Sequence, residues 1–425
     1  MVKTKTTLNR ILILLIFTIS SSFLTKALDT SEKIFDPYVR TLFVRNVDNF
    51  YGLPVIRMGT NDMISIKFDI ISEDAEYLRY KLIHCNSDWQ PSRLLESEYI
   101  EGFNEGIIDD YAFSSNTFVH YVNYNIEIPN PGMQILASGN YLLQVYPESD
   151  PDEILLQARF SVSENTVSVL GKVTSRTDKG FNTSYQQMSL ALGLDQNAVI
   201  NPYQDLIIKI TQNNRPETTQ TITHPMRVEG KTVVYEHDPA MIFNASDEYR
   251  RFEIVRADYA GMHVDSVRFG GSNWHAWLAV DKPRNDRQYN YDSTQHGRFM
   301  IDEYNADDPD LGADYITVHF TLDSPYAAGA EVYVDGDFTN HRFDEKNRMT
   351  YDHNRGVYTL DMPLKQGSYN YQYVVMPNGT GKADPGIIEG DKYETNNEYS
   401  VQVYLRQPGF RGDRLVGSAQ VYSGY

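Results

Sequence analysis

YKLIHCNSDWQPSRLLESEYIEGFNEGIIDDYAFSSNTFVHYVNYNIEIPN, residues Tyr80 to Asn130, is the stretch that decides how this chain is read. It opens as a strand, with Leu78, Tyr80 and Leu82 on one face and Arg79 and Lys81 between them. Asn86-Ser87-Asp88 breaks that strand, and Trp89 and Gln90-Pro91 follow. It closes as a second strand, where Val122, Tyr124, Ile126 and Ile128 alternate with Asn123, Asn125 and Glu127. A period of two puts successive side chains on opposite faces, so each strand belongs to a sheet with one dry and one wet face. Between them, from Trp89 to Phe118, run about thirty residues rich in aromatics and carboxylates. Loops of that length in a compact domain usually carry a function of their own.

Working outward, the same alternation recurs at Ile64, Ile66, Phe68 and Ile70, at Tyr141, Leu143 and Val145, and at Leu156, Ala158, Phe160 and Val162. These strands suffice for a sandwich over residues 36–164, with a barrel as the alternative. A second β-rich block, 165–283, holds Leu206, Ile208 and Ile210, then Val233 to Tyr235, Phe252 to Val255, and Trp274 with Trp277. Residues 284–314 lose the apolar pattern and read as an acidic linker. Within it Asp308-Pro-Asp310-Leu-Gly312-Ala-Asp314 looks like a calcium loop but lacks the bidentate glutamate such loops use, so a solvated acidic segment is the simpler reading. A third block, 315–406, alternates Ile316, Val318, Phe320 and Leu322, then Tyr369, Tyr371 and Tyr373, and is closed by Val401, Val403 and Leu405. Residues 407–425 read as a tail. The fold class is all-β: two to three immunoglobulin- or fibronectin-like β-sandwich domains in tandem.

The start of the chain predicts export. Lys3, Lys5 and Arg10 precede an apolar core from Ile11 to Ile19, and Thr25-Lys26-Ala27 offers small residues for cleavage, so 1–27 is a signal peptide. The apolar run falls short of the about 20 residues that span a bilayer. Net charge is −19, and loss of the four basic residues in the leader takes the mature chain to −23. Such a chain repels nucleic acid and anionic lipid, which argues against both as partners. One cysteine, Cys85, excludes an internal disulfide and a cysteine-based zinc site.

Several motifs in the opening stretch resemble the N-terminal domain of the type 9 secretion system plug protein family. They are His84-Cys85-Asn86, Asp88-Trp89, Pro91-Ser92, Ser97-Glu98-Tyr99, Glu101-Gly102-Phe103-Asn104, Asp110-Tyr111, Phe113-Ser114, Asn116-Thr117-Phe118 and Ser138-Gly139-Asn140-Tyr141. The resemblance implies a periplasmic, non-catalytic protein that docks on the inner mouth of a large outer-membrane β-barrel translocon and closes it. The third block resembles the immunoglobulin-like module found beside glycogen-acting enzymes, through Asp335-Gly336-Asp337-Phe338 and the Tyr369–Tyr373 strand. That likeness suggests the alternative of an exported glycan-binding protein, with surface tyrosines such as Tyr333 as contacts. Yet Thr339-Asn340-His341 stands where that module usually places its sugar-stacking tryptophan. A type 9 cargo protein would carry a separate C-terminal sorting domain, for which the tail leaves no room, and this favours machinery over cargo.

No coherent chemistry emerges from the residues. His84 and Cys85 adjoin, but neighbours on a strand face opposite ways and cannot easily pair. The histidines are scattered, the carboxylate pairs are those expected by chance in an acidic chain, and no phosphate loop or nucleophile elbow occurs. No cofactor, metal or small-molecule substrate is expected. Trp89, Trp274 and Trp277 read more simply as core than as interface anchors. The expected contact surface is the long loop of the first domain, through Trp89, Tyr99, Phe103, Tyr111, Phe113 and Phe118.

Overall fold

Strands that alternate in sequence pair as antiparallel sheets in the computed structural model, which describes residues 29–194 and 201–424. The leader expected over residues 1–27 lies outside them. In the first sandwich one sheet runs Lys33–Ile34, Leu156–Ser163, Gly139–Pro147, Leu78–Cys85, Gly106–Ile108, with Val55–Arg57 added in parallel. The other runs Val39–Asn46, Ile64–Ile70, Val122–Ile128, Tyr111–Phe113. Their inward residues, among them Ile66, Phe68, Tyr124, Ile126, Leu82, Leu143 and Phe160, form one core. Gly139–Pro147 is buried on both faces. Its outer face carries Asn140, whose side-chain oxygen accepts the Tyr404 hydroxyl at 2.7 Å, so a second sandwich covers it.

That second sandwich is assembled from both ends of the remaining chain. Val167–Thr174, Tyr185–Leu194, Thr232–Tyr235 and Arg227–Glu229 make one sheet, and Ile242–Asn244 also joins it. The facing sheet runs Gln220–Ile222, Leu206–Gln212, Glu398–Leu405, Arg414–Tyr422. Ile208 stands opposite Val403 and Ile210 opposite Val401. Tyr399, Val401, Val403 and Val416 are therefore core residues of the second sandwich, beside Leu190, Leu192 and Tyr235. The sequence pattern alone places Val401, Val403 and Leu405 at the close of the third block, with a tail beyond; the pairing puts them in the second. Alternation marks a strand's dry face but carries no information about which sheet receives it.

The third sandwich is inserted between these two halves. One sheet runs Arg250–Glu253, Gly367–Pro377, Phe299–Ile301, with Ala330–Asp335 also on Gly367–Pro377. The other runs Val264–Gly270, Asn273–Leu278, Tyr315–Leu322, Val357–Lys365, Thr350–Asp352. The strand bearing Trp274 and Trp277 thus pairs in parallel with Tyr315–Leu322 and belongs here rather than to the preceding block. Residues 284–314 are no free linker either. They supply an end strand, Phe299–Ile301, paired with Gly367–Pro377, and two arginines in tight ion pairs, Arg284 with Glu389 and Arg298 with Glu398, each at 2.7 Å. Charges buried by pairing leave no apolar pattern, which is why this segment reads as solvated.

Polar contacts fix the three sandwiches against one another. Asp69 of the first and Lys365 of the third form a buried ion pair at 2.7 Å, 0% and 1% exposed. Tyr315 donates to the same carboxylate oxygen at 2.7 Å, and the Lys365 ammonium also donates to the Asp310 carbonyl. Asn123 donates to the other carboxylate oxygen, so every oxygen of Asp69 is engaged. Glu164 takes Arg414 from the last strand, and the Asp413 carboxylate accepts the Ser87 amide. Between the second and third sandwiches, His341 lies 2.9 Å from both Asp335 and Asp337, with Arg215 3.8 Å from Asp335. Burial alone would push the imidazole pKa down. The two carboxylate charges outweigh it and hold the group well above its ordinary value. Burial would likewise raise both aspartates, but His341 holds them below the usual carboxylate range.

Two outcomes follow from these junctions. Lys365→Ala leaves Asp69 buried and unpaired and should cost about 3–5 kcal/mol of unfolding free energy in urea titrations, whereas Asp69→Asn with Lys365→Met, which removes both charges, should recover most of it. The raised His341 pKa contributes stability that is full below the unfolded histidine value of about 6.5 and is lost as pH rises through the folded value. The depressed aspartates contribute stability that is full above about 3.9 and is lost as pH falls. The stability difference between wild type and His341→Asn should accordingly be widest between about pH 4 and pH 6.5 and narrow on either side, as read from urea midpoints across pH.

Candidate partner-binding surface

The loop of the first sandwich is ordered by short pairings. The Leu95 amide donates to Glu98 and starts a helical turn at Glu96–Tyr99. Ile100–Gly102 then pairs with Met133–Ile135, Gly106–Ile108 with Leu78–Tyr80, and Tyr111–Phe113 with Val122–Tyr124. Asn104 pins the turn between them: its oxygen accepts the Leu82 amide at 2.9 Å and its nitrogen donates to the Leu82 carbonyl at 2.8 Å. Gly106 permits this, because a Cβ there would lie 2.1 Å from the Tyr80 ring. Gly106–Ile108 and Tyr111–Phe113 are the last strands of their two sheets, so both sheets end in this one segment.

The six residues expected at a contact separate in the structure. Phe103 is 84% exposed at the tip between two strands, and Tyr111 and Phe113, 40% and 51% exposed, continue the inner face of their sheet beyond its cover. Phe118, also exposed, lies apart at the seam with the third sandwich, 4.9 Å from the Phe269 ring and 6.4 Å from Trp274. Tyr99 is a correction: it is buried, with its hydroxyl donating to the Leu82 carbonyl, and belongs to the core. Trp89 is half-buried in a left-handed conformation under the Arg159 guanidinium, 4.3 Å from its ring, and faces a cavity between the sandwiches. Ile107, 61% exposed, was missed. The Ile107-Ile108 doublet was the available signal, since two adjacent strand residues cannot both face the core.

Around Phe103 and Ile107 the surface forms a groove of about 520 Å³, floored by Met133 and Gly132. Its walls carry Glu105, Asp109, Asp110 and Glu127. From Leu94 to Leu136 the chain has no lysine or arginine. The arrangement is an apolar, acid-rimmed end with unpaired strand edges, suited to holding a basic, partly apolar protein segment.

Residues 39–164, the first sandwich, match the family described as type 9 secretion system plug protein 1st domain. In its first sandwich the chain carries a first domain of the type 9 secretion system plug family. Its whole architecture is also similar to the crystal structure of a hypothetical protein from Parabacteroides merdae. The two share 38% sequence identity at a TM-score of 0.90, over 92% of this chain and 99% of that one. No curated protein matches the chain.

The plug-family domain carries its one thiol in an inert setting. Cys85 is fully buried, and burial pushes its pKa up to about 12, which disfavours a nucleophilic thiolate. Burial also lowers the His84 pKa, and its Nε2 donates to the Ser138 carbonyl. Asp314, in the run that resembles a calcium loop, accepts the backbone amides of Phe118, Val119 and Tyr315. Asp308 caps the turn that follows it and Asp310 pairs with Lys67, so the three carboxylates serve separate partners. Among the described residues no set of three acidic, histidine or cysteine side chains converges as metal ligands, and no helix is long and apolar enough to cross a membrane. Tyr333, expected on a glycan-binding surface, is 3% exposed and donates to Glu331.

Tyr99 and Phe103 distinguish core from contact experimentally. Phe103→Asp should change unfolding free energy by less than about 0.5 kcal/mol, whereas Tyr99→Ala should cost about 3 kcal/mol, both read from urea denaturation.

Proposed function

We propose that this protein is a non-catalytic periplasmic plug. It binds the periplasmic side of the type 9 secretion outer-membrane β-barrel and seals its pore when no cargo is in transit. The observation that carries this reading is the family match over residues 39–164, the same sandwich that presents the apolar, acid-rimmed groove. A barrel wide enough for folded cargo leaks small solutes when idle, because lumen width grows with strand number. A sandwich of this size has a radius of gyration of about 14 Å and makes a stiff occupant. Export through the leader would deliver the protein to the periplasm, where it associates with the outer membrane through its partner. The acidic side chains on the groove wall favour a basic face on that partner.

Excising Arg93 to Ala112 would be a poor test, because it removes the core residues Tyr99, Ile100 and Ile108. Phe103→Asp combined with Ile107→Asp spares the core. Co-purification of the barrel with wild type, and its loss by at least tenfold with this double variant at unchanged melting temperature, is the expected result. Full retention of the barrel by the double variant would remove the groove from the contact. Failure of wild type to capture the barrel at all would remove the plug function itself.

A further inference from the structure

A cavity of about 390 Å³ opens at the seam between the first and third sandwiches, inside the size range of small-molecule pockets. Its floor is core of the third sandwich: Phe299, Met362, Leu364 and Tyr369, with Phe338 packed against them. Lys33–Ile34 and the start of Val39–Asn46 wall it from the first sandwich. On that wall Thr41 has a φ of 53°, a left-handed conformation that β-branched residues rarely adopt. It occupies a bulge between Arg40 and Phe43, where the ladder with Ile64–Ile70 shifts register, and its hydroxyl lies 2.6 Å from that of Tyr315. Bulges re-aim neighbouring side chains, and strain of this kind persists where surrounding contacts hold it, commonly at ligand sites.

The charge around this cavity is opposite in sign to that of the chain. Five basic and three acidic residues line it, a net of +2 on a chain of net charge −19. All three acids have partners: Asp344 accepts the Lys346 amide, Glu345 lies 3.7 Å from Arg348, and Asp361 lies 2.7 Å from His319. Of the bases, Lys365 is taken by Asp69, and Lys33 lies 4.6 Å from the Phe35 ring. Arg40 stands opposite Asp69 in the ladder, so both face the seam. Its Nη1 donates to the Pro37 and Val39 carbonyls; Nε and Nη2 have no hydrogen-bond partner among the described residues and remain open to water. Arg342 donates to the Ser31 hydroxyl, and no side chain among the described residues bonds the Lys346 ammonium. Partial burial, and after it the Arg40 charge, lower the Lys346 pKa, while Asp344 and Asp36 oppose the shift. Like charges gathered at one mouth repel unless an anion comes between them.

We propose that this seam cavity binds an anionic amphiphile, an alkyl chain ending in a carboxylate or a phosphate, with the chain on the apolar floor and the head group at Arg40, Arg342 and Lys346. Apolar area alone would accept any alkyl chain, whereas the cations select an anionic one. Occupancy would bridge the two sandwiches, since the first supplies Arg40 and the third Arg342 and Lys346. The inference does not rest on the plug function or on the groove, whose lining residues are different.

The test uses the mature protein with sodium decanoate, decyl phosphate, decanol and sodium acetate, each below its aggregation threshold and at matched ionic strength, read by calorimetry and thermal melting. Decanoate, decyl phosphate or both should bind one-to-one, at least tenfold tighter than decanol, and raise the melting temperature by at least about 2 °C over acetate. Tighter decanoate assigns a fatty-acid carboxylate; tighter decyl phosphate assigns a lipid phosphate. Arg40→Gln combined with Lys346→Gln should weaken both anions at least tenfold and leave decanol unchanged. Should that double variant fold poorly, Lys346→Glu alone changes a side chain without a bonding partner and should weaken the anions at least threefold. The proposal is overturned if decanol binds as tightly as the anions, if acetate matches them, if neither anion binds, or if their affinity survives unchanged in these variants.

Discussion

The second sandwich has no complete core until the chain has built the third and returned. Leu206–Gln212 acquires its central neighbour, Glu398–Leu405, only after the whole insertion has been traversed, and the Ser400 hydroxyl bonds a carbonyl 189 residues back. Tyr399, Val401 and Val403 are fully buried in that sheet, so the return is not an ornament on an otherwise finished domain. Two chain crossings join the second and third sandwiches where a tandem arrangement has one. A single flexible linker permits rotation, and two crossings anchored in one sheet do not. Pairing over such separations is slow to form, because loop closure precedes any reward from the contact.

The junctions that hold this arrangement are polar, and that choice has consequences. Apolar faces slide with little loss, whereas an ion pair such as Asp69 with Lys365 is satisfied in one geometry only. Its accessory donors from Tyr315 and Asn123 fill the remaining lone pairs and make burial tolerable. Interfaces between domains of one chain ordinarily allow relative motion unless they are large and apolar. Here directional bonds at all three seams reach the same end by another route: Arg298 with Glu398, Arg414 with Glu164, and Asp69 with Lys365.

How much of this was legible depended on what each residue type records. Half-buried strands write their burial into a period of two, so Ile64–Ile70 and Val122–Ile128 were readable to the residue. Strand partners were not, because Val401 and Val403 would present the same dry face to either sandwich. Residues 284–314 were misread because burial there is achieved by Arg284 and Arg298 finding carboxylates, which hydropathy records as solvation. Within the long loop, Tyr99 and Phe103 look equivalent in sequence. Pairing of Ile100–Gly102 with Met133–Ile135 turns the first inward and leaves the second at the tip, and nothing local to either residue encodes that.

An exposed groove with two unpaired strand edges is a hazard as well as a candidate site, since open edges invite pairing between copies. The stretch around Phe103 and Ile107 answers this with carboxylates and no cation, so two copies approaching edge to edge repel. The same field would attract the basic partner proposed above, which would make avoidance of self-association and choice of partner one property of the surface rather than two. A stiff scaffold adds the remaining element. Because Asn104 and the flanking strands already hold the loop in place, docking there would spend little ordering entropy, and a modest apolar contact would suffice. Modest, salt-sensitive binding on a rigid body lets a protein occupy a site firmly and still be displaced from it.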